Sequence, residues 1–258
     1  MPADSVIARA RAQNRTALLE PEAKEVCRVY GLPVPEFKFA TDKRQAVEFA
    51  EKIGFPIVMK IISPDILHKT EAGGVLLNLN TTEDVEKGFS RIVSNTEAFM
   101  KSARIDGVLV QRMAPSGLEI IVGGLRDPQF GPVVMFGLGG IFTEVLNDVT
   151  FGLAPVDDSE AREMIRGIRG YRALTGFREH LPVDERAIAS AVVQVSKIMD
   201  ENQQIGQIDL NPIMAYSCGC SVVDARILLT STHETKRELI KNDGSNINGN
   251  KASISTNR

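Results

Sequence analysis

Residues 55–79 read FPIVMKIISPDILHKTEAGGVLLNL. An apolar run carries Lys60, a polar loop follows with His68, one of only three histidines in the chain, and Gly73-Gly74 leads into a second apolar run. A lysine so placed can set a point charge on a phosphate, and two glycines let backbone amides approach an anion closely. The plainer alternatives are a surface lysine at a strand end and an ordinary tight turn. The loop lacks both G-x-x-x-x-G-K-[ST] and G-x-G-x-x-G, so these residues alone leave the choice open.

A second constellation lies near the end of the chain. IGQIDLNPIMAY (205–216), a turn at Ser217-Cys218-Gly219 and CSVVDARILL (220–229) read as a hairpin. If the turn is centred between Ser217 and Cys218, facing residues have indices summing to 435. Asn211 then faces Asp224 and Asp209 faces Arg226, all on one side, while Ile208, Leu210, Val223, Ala225 and Ile227 take the other. A carboxylate beside an amide oxygen suits Mg²⁺, which takes one or two protein ligands when phosphates supply the rest. On the hairpin alone, a solvated face with an Asp209–Arg226 ion pair is the stronger reading, and Pro212 could insert a bulge that shifts the register.

The elements that must position these groups follow from pattern. Helices are expected over 5–19 and 21–30, the second opened by Pro21, with an extended segment at LPVPEFKFA. Asp42 with Gln45 caps a helix ending at Gly54; strands follow at 57–62 and 74–79, a helix from Thr81 or Thr82 to about 102, and a strand at 107–113. Ala114-Pro115-Ser116-Gly117 reads as a hinge between two lobes. LEIIVGGL and GPVVMFGL, joined by a polar turn, predict an antiparallel pair, and helices are expected near 158–169 and 184–201. The organisation is thus an N-terminal helix at 1–20, an α+β lobe at 21–113, a second at 114–232, and a tail at 233–258 whose Asn, Ser and Gly predict disorder.

Composition bounds the partners. The chain has 258 residues, 43% of them hydrophobic, and a net charge of −3, so it can bury a core but has no global basic field for nucleic acid or an anionic membrane. No apolar run approaches the roughly 18 residues of a membrane span, and the N-terminus lacks a signal-peptide segment, which predicts a cytoplasmic protein. Cys27, Cys218 and Cys220 match neither a disulfide framework nor zinc knuckles.

In order, the segments YGLPVP (30–35), GFPIVMK (54–60), SPDILHKTEAGGV (63–75), VQRMAPSGLEIIVG (110–123), RDPQFGPVVMFGLGGIFTEVLNDVTF (126–151), IDLNP (208–212) and VVDAR (222–226) resemble the ATP-grasp fold. More narrowly, they resemble the nucleotide-binding β subunit of ADP-forming acyl-CoA (acetyl-CoA) synthetases, related to the succinyl-CoA synthetase β chain. The resemblance implies an α+β fold with ATP or ADP between two lobes. It implies that Lys60 and the loop around Gly73 and Gly74 meet the phosphates, that the backbone of Gln111-Arg112-Met113 holds adenine, and that Glu119 lies near the ribose. It matches Asn211 and Asp224 to the Mg²⁺ ligands, Asp209 to a residue orienting a phosphohistidine, and Glu144, after Gly137-Leu138-Gly139-Gly140, to a site between the domains.

His68 then reads as a phosphate carrier, since a neutral imidazole is a competent nucleophile near neutral pH. It would exchange phosphate with a histidine on a CoA-binding α subunit, in an α₂β₂ assembly that also takes a small carboxylic acid and phosphate. The chain departs from the family pattern at Gln207, where Glu is common, and at Arg178-Glu179, where Arg-Gly is common. His180 and His233 receive no role. Two rival classes are a carboxylate–amine ligase that forms acyl phosphate directly and a regulatory subunit that binds nucleotide without catalysis.

Overall fold

The structure, a computed structural model, describes residues 2–66, 68–140, 148–176 and 181–230. Glu144, Arg178, Glu179, His180, His233 and the tail from 233 on lie outside the described residues.

Two antiparallel sheets organise the chain. The smaller has the order β1-β4-β2-β3 and is built from β1 (Phe37–Ala40), β2 (Ile57–Ile62), β3 (Val75–Leu79) and β4 (Gly107–Arg112). Helices α3 (Lys43–Ile53) and α4 (Thr82–Phe99) pack on it, and their Ala46, Ala50, Ile53, Val85 and Ile92 meet Ile57, Met59, Ile61, Val108 and Val110 in one core. The expected cap of α3 is present: Asp42 accepts from the Gln45 N–H at 2.8 Å, while the Gln45 side chain accepts from the Thr41 N–H. Because β2 is an inner strand with both faces covered, all six of its residues are buried, Lys60 included.

The larger sheet runs β10-β8-β5-β6-β7, with β9 also paired to β8. Its strands are β5 (Leu118–Asp127), β6 (Gly131–Leu138), β7 (Val149–Leu153), β8 (Ile205–Ala215), β9 (Cys220–Val222) and β10 (Arg226–Leu229). Helices α5 (Asp158–Gly167) and α6 (Glu185–Glu201) cover it. The expected β5–β6 hairpin and both helices are present. Residues 114–117 join strands of different sheets, as a hinge would.

The N-terminal segment differs from its expectation. Instead of one helix over 5–19, α1 (Pro2–Ala12) ends early, Asn14 adopts φ 55°, and Leu18 donates to the Ile227 carbonyl at 2.9 Å beside an Ala17–Leu228 bridge. Tertiary pairing with β10 outweighs local helix preference here. Arg15 anchors the turn through two bonds to Glu22, at 2.6 and 2.8 Å. Helix α2 (Glu20–Val29) then begins, and its Ala23, Val26 and Cys27 are buried in the core of the larger sheet. Leu19, just before α2, packs near Phe37, Ile62 and Leu109, and Val34, just after it, packs against both that cluster and the core of the larger sheet. Helix α2 therefore stands beside both sheets.

Candidate active site

The hairpin register follows the arithmetic. Arg226 pairs with Asp209, Ile227 with Ile208 and Val222 with Ile213, each summing to 435. Pro212 does not shift the register on this edge, where the pairing slips only later, between Leu228 and Leu229; on the other edge of β8 the pairing is irregular between Ile120 and Val122 of β5. Asn211 and Asp224 therefore come together at the mouth of a cleft, between β8 and the link from β9 to β10. The Asp209–Arg226 alternative is not realised as an ordinary hydrogen-bonded pair: Arg226 Nε is buried without a hydrogen-bond partner among the described residues. Burial first and the neighbouring Asp224 second raise the Asp209 carboxyl above the usual aspartate range, and Arg226 only partly opposes them.

Beneath Asp224 lies a group of charges assembled from three elements. Lys60 Nζ stands 2.6 Å from Asp224 Oδ1, 2.7 Å from Glu20 Oε1 and 3.0 Å from the Val223 carbonyl oxygen. Lys24 Nζ lies 2.9 Å from the same Glu20 oxygen, donates to the Val223 carbonyl at 2.8 Å, and also donates to Gln111 Oε1. From the polar loop, Lys69 Nζ reaches Glu20 Oε2 at 2.6 Å. One carboxylate with 1% exposure thus meets three ammonium groups.

The electrostatics follow from this crowding. Burial alone would raise the Glu20 carboxyl, but Lys60, Lys24 and Lys69 together hold it well below the usual carboxylate range. Burial pushes the Lys24 ammonium down to about 8 against the opposing pull of Glu20. Lys60 suffers the same burial, yet with both Glu20 and Asp224 beside it, its value is raised. The surface-lysine alternative for Lys60 is thereby overturned, since its side chain is only 6% exposed.

A cleft of about 650 Å³ opens above this floor, between the sheets. Lys60, His68, Gln111, Met113, Glu119, Asn211 and Asp224 all line it, so seven side chains singled out from the sequence converge. His68 is exposed, with Nδ1 3.8 Å from Glu71 Oε1. Gln111 is fully buried, and its Nε2 is an unpaired donor among the described residues.

Other expectations take a different form. The Arg112 and Met113 N–H groups already donate to the Glu36 and Pro56 carbonyls, at 2.8 and 3.0 Å, and the Arg112 guanidinium bonds the Ile53 carbonyl. Gly73 and Gly74 do not line the cleft, and their N–H groups donate to the Thr70 and Lys69 carbonyls, at 3.0 and 2.7 Å. These glycines shape the loop rather than offer amides to an anion. A Cβ on Gly74 would fall 2.5 Å from Ile61 Cγ2 and 3.0 Å from the Lys69 carbonyl oxygen. Gly74→Ala is expected to cost about 1–3 kcal/mol; an unchanged urea midpoint would refute the tight-packing account.

Glu20, Lys24 and Lys69 had no role in the sequence reading. Glu20 and Lys24, four apart at a helix start, look like an ordinary exposed helical pair; only the tertiary structure buries them.

The residues present fit a divalent cation bound with phosphates. In this structure the Lys60 ammonium stands as a cation on Asp224, and Asn211 lines the same cleft. Among the described residues no group of three or more His, Cys, Asp or Glu could hold a metal, so a cation here would complete its shell from phosphate and water.

Two antiparallel sheets with a lysine-floored cleft between them suit an anionic ligand, and comparison gives the class. Residues 9–229 match the ATP-grasp domain family, and the chain belongs to that family. It is 48% identical over 227 residues to the β subunit of acetate–CoA ligase [ADP-forming] I of Pyrococcus furiosus, covering 88% of this chain and 97% of that one. Acetyl-coenzyme A synthetase 1 of Ca. Korarchaeum cryptofilum, solved with coenzyme A and Ca-AMPCP, superposes with a TM-score of 0.87 at 46% identity, covering 88% of this chain and all of the other. A further structure of that synthetase, with coenzyme A and Mg-AMPPCP and its phosphohistidine segment pointing towards the nucleotide-binding site, gives a TM-score of 0.79 at 44% identity, with the same coverage.

Proposed function

We propose that this chain is the nucleotide-binding β subunit of an ADP-forming acyl-CoA synthetase, which interconverts acyl-CoA, ADP and phosphate with a carboxylic acid, CoA and ATP. The observation that carries this reading is the convergence of Lys60, His68, Asn211 and Asp224 on one cleft. The relatives' names and bound nucleotides support it.

The chemistry follows from the residues. Lys60 neutralises phosphate charge from the floor, and Gln111 Nε2 offers a buried donor. Asn211 and Asp224 would hold Mg²⁺, which supplies charge neutralisation on the phosphates when bound. A ring nitrogen of His68 attacks the terminal phosphorus of ATP, the bond from that phosphorus to the bridging oxygen breaks, and ADP leaves. The phosphoryl group then passes from His68 to a histidine of the partner, and the reverse sequence makes ATP. Asp209 orients the phosphorylated imidazole; Glu119 faces the nucleotide; Glu144 serves the site between domains.

The lobes of the reaction are those built on the smaller and the larger sheet, divided at 114–117; within 21–113, α2 belongs by its packing to the larger-sheet lobe, since Ala23, Val26 and Cys27 are buried in that core. A separate α subunit carries CoA and selects the acid, in an α₂β₂ assembly. Among the described residues no helix is long and apolar enough to cross a membrane, and the reaction belongs to the cytoplasm.

The test is incubation of the full chain with Mg²⁺ and ATP labelled on the γ-phosphate. Acid-labile, base-stable protein phosphate is expected. ATP binding with no label, in the presence of a CoA-binding partner as well as its absence, would refute the relay. Amine-dependent ADP release would then favour the carboxylate–amine ligase.

A further inference from the structure

Lys69 follows His68 directly, and its ammonium meets Glu20 Oε2 at 2.6 Å while Glu20 Oε1 holds Lys60 at 2.7 Å. The loop bearing Lys69 connects two strands of the smaller sheet, whereas Glu20 belongs to α2, whose apolar side is buried in the core of the larger one. The other side-chain ties of the loop stay within its own half: Asp65 accepts from the Arg104 N–H at 2.7 Å, and Asn95 donates to the Gly73 carbonyl at 3.1 Å. Among the described residues, Lys69–Glu20 is thus the one side-chain hydrogen bond from residues 63–74 to α2 or the larger sheet.

We propose that Glu20 is a positioning residue, which registers the His68 loop against Lys60 by holding Lys69 on its second oxygen. This rests on the reading of His68 as a phosphate carrier. A histidine that must meet a phosphate in line cannot be placed by a loop tied only to its own sheet, because the phosphate is held across the cleft by groups of both halves. The two oxygens of Glu20 solve this geometrically. One fixes the lysine facing the phosphates, and the other fixes the residue next to the nucleophile. Lys69 and Asp224 also line both the nucleotide cleft and a second cavity of about 380 Å³. The Lys69–Glu20 contact therefore stands beside both spaces, and among the described residues no other side-chain hydrogen bond of the loop reaches α2 or the larger sheet.

Lys69→Met is the clean variant. The Lys69 side chain is 19% exposed, and its loss leaves Glu20 still paired with Lys24 and Lys60, so no buried charge is orphaned. In the full-length chain, amide exchange over 64–74 is expected to accelerate about tenfold or more. Labelling of His68 at saturating ATP should slow by about tenfold or more, because positioning is lost and saturation removes any effect of this cleft-lining ammonium on affinity. Lys69→Arg should restore both, which a change in mere stability would not do. A folded Lys69→Met protein with wild-type loop exchange and wild-type labelling overturns the proposal. If the wild type itself takes no label on His68, the functional reading fails, and the exchange measurement still decides whether Glu20 fixes the loop.

Discussion

His68→Ala is expected to take no label from γ-labelled ATP, to below about one part in 10³ of wild type, because no other side chain of the loop is a nucleophile of comparable strength at neutral pH. The substitution is structurally mild. The His68 side chain is 67% exposed, and among the described residues its one ion-pair contact is Glu71 at 3.8 Å, so the change in stability should stay within about 0.5 kcal/mol. Nucleotide affinity should also survive, since Lys60, Gln111 and Asp224 are untouched. The signature is therefore a split, with ADP binding retained and phosphoryl transfer lost. Calorimetric titration with ADP alongside the labelling assay reads both. Persisting label in the variant would place the phosphate elsewhere and remove His68 from the relay.

The second large effect concerns Glu20→Gln. In the wild type three ammonium groups share Glu20, and Asp224 serves as a second counter-charge for Lys60. Removing one partner of a buried charge group typically costs about 3–5 kcal/mol, because the remaining charges stay desolvated. That is a large part of the roughly 5–15 kcal/mol that hold a domain folded.

Its pH dependence gives the loss a fingerprint. The native Glu20 carboxyl lies well below the value of about 4.3 expected for an unfolded chain. Between those two values the unfolded state binds a proton that the native state does not, so stability rises with pH there. The contribution is complete above the unfolded value and lost as pH falls through the native one. Glu20→Gln should flatten this acid limb. At the other end, Lys24 titrates at about 8 in the native state against about 10.4 unfolded, so deprotonation in that window favours the folded form. Without Glu20 the crowded lysines shed protons more readily, and the deficit should shrink between pH 7 and pH 9.5. Urea midpoints across the range measure this. A deficit under about 1 kcal/mol at pH 7, or one independent of pH, would show that Glu20 is not the counter-charge of the group.

Much of the frame and part of the site could be read from the residues. The index sum of 435 was sufficient to bring Asn211 to Asp224, because side chains alternate along strands and a short turn fixes register; the two strand pairs flanking them obey it. Asp42 with Gln45 announced α3 because capping is a local event. The ordered run of motifs from YGLPVP to VVDAR carried the family resemblance, and the matched domain spans them.

What the sequence could not decide was which charges are buried. Lys60 reads as a strand-end lysine until β2 is seen as an inner strand under α2 and the hairpin. Glu20 and Lys24 have the spacing of a solvent-facing helical pair, and Lys69 that of a loop lysine. Gly73 and Gly74 suggest an anion cradle, yet their N–H groups close the loop on itself. Local spacing determines which atoms can meet within one element. Burial, and with it the strength of every charge in the site, arises only when elements distant in the chain exclude water together, and here that decision was made by the packing of α2 between two sheets.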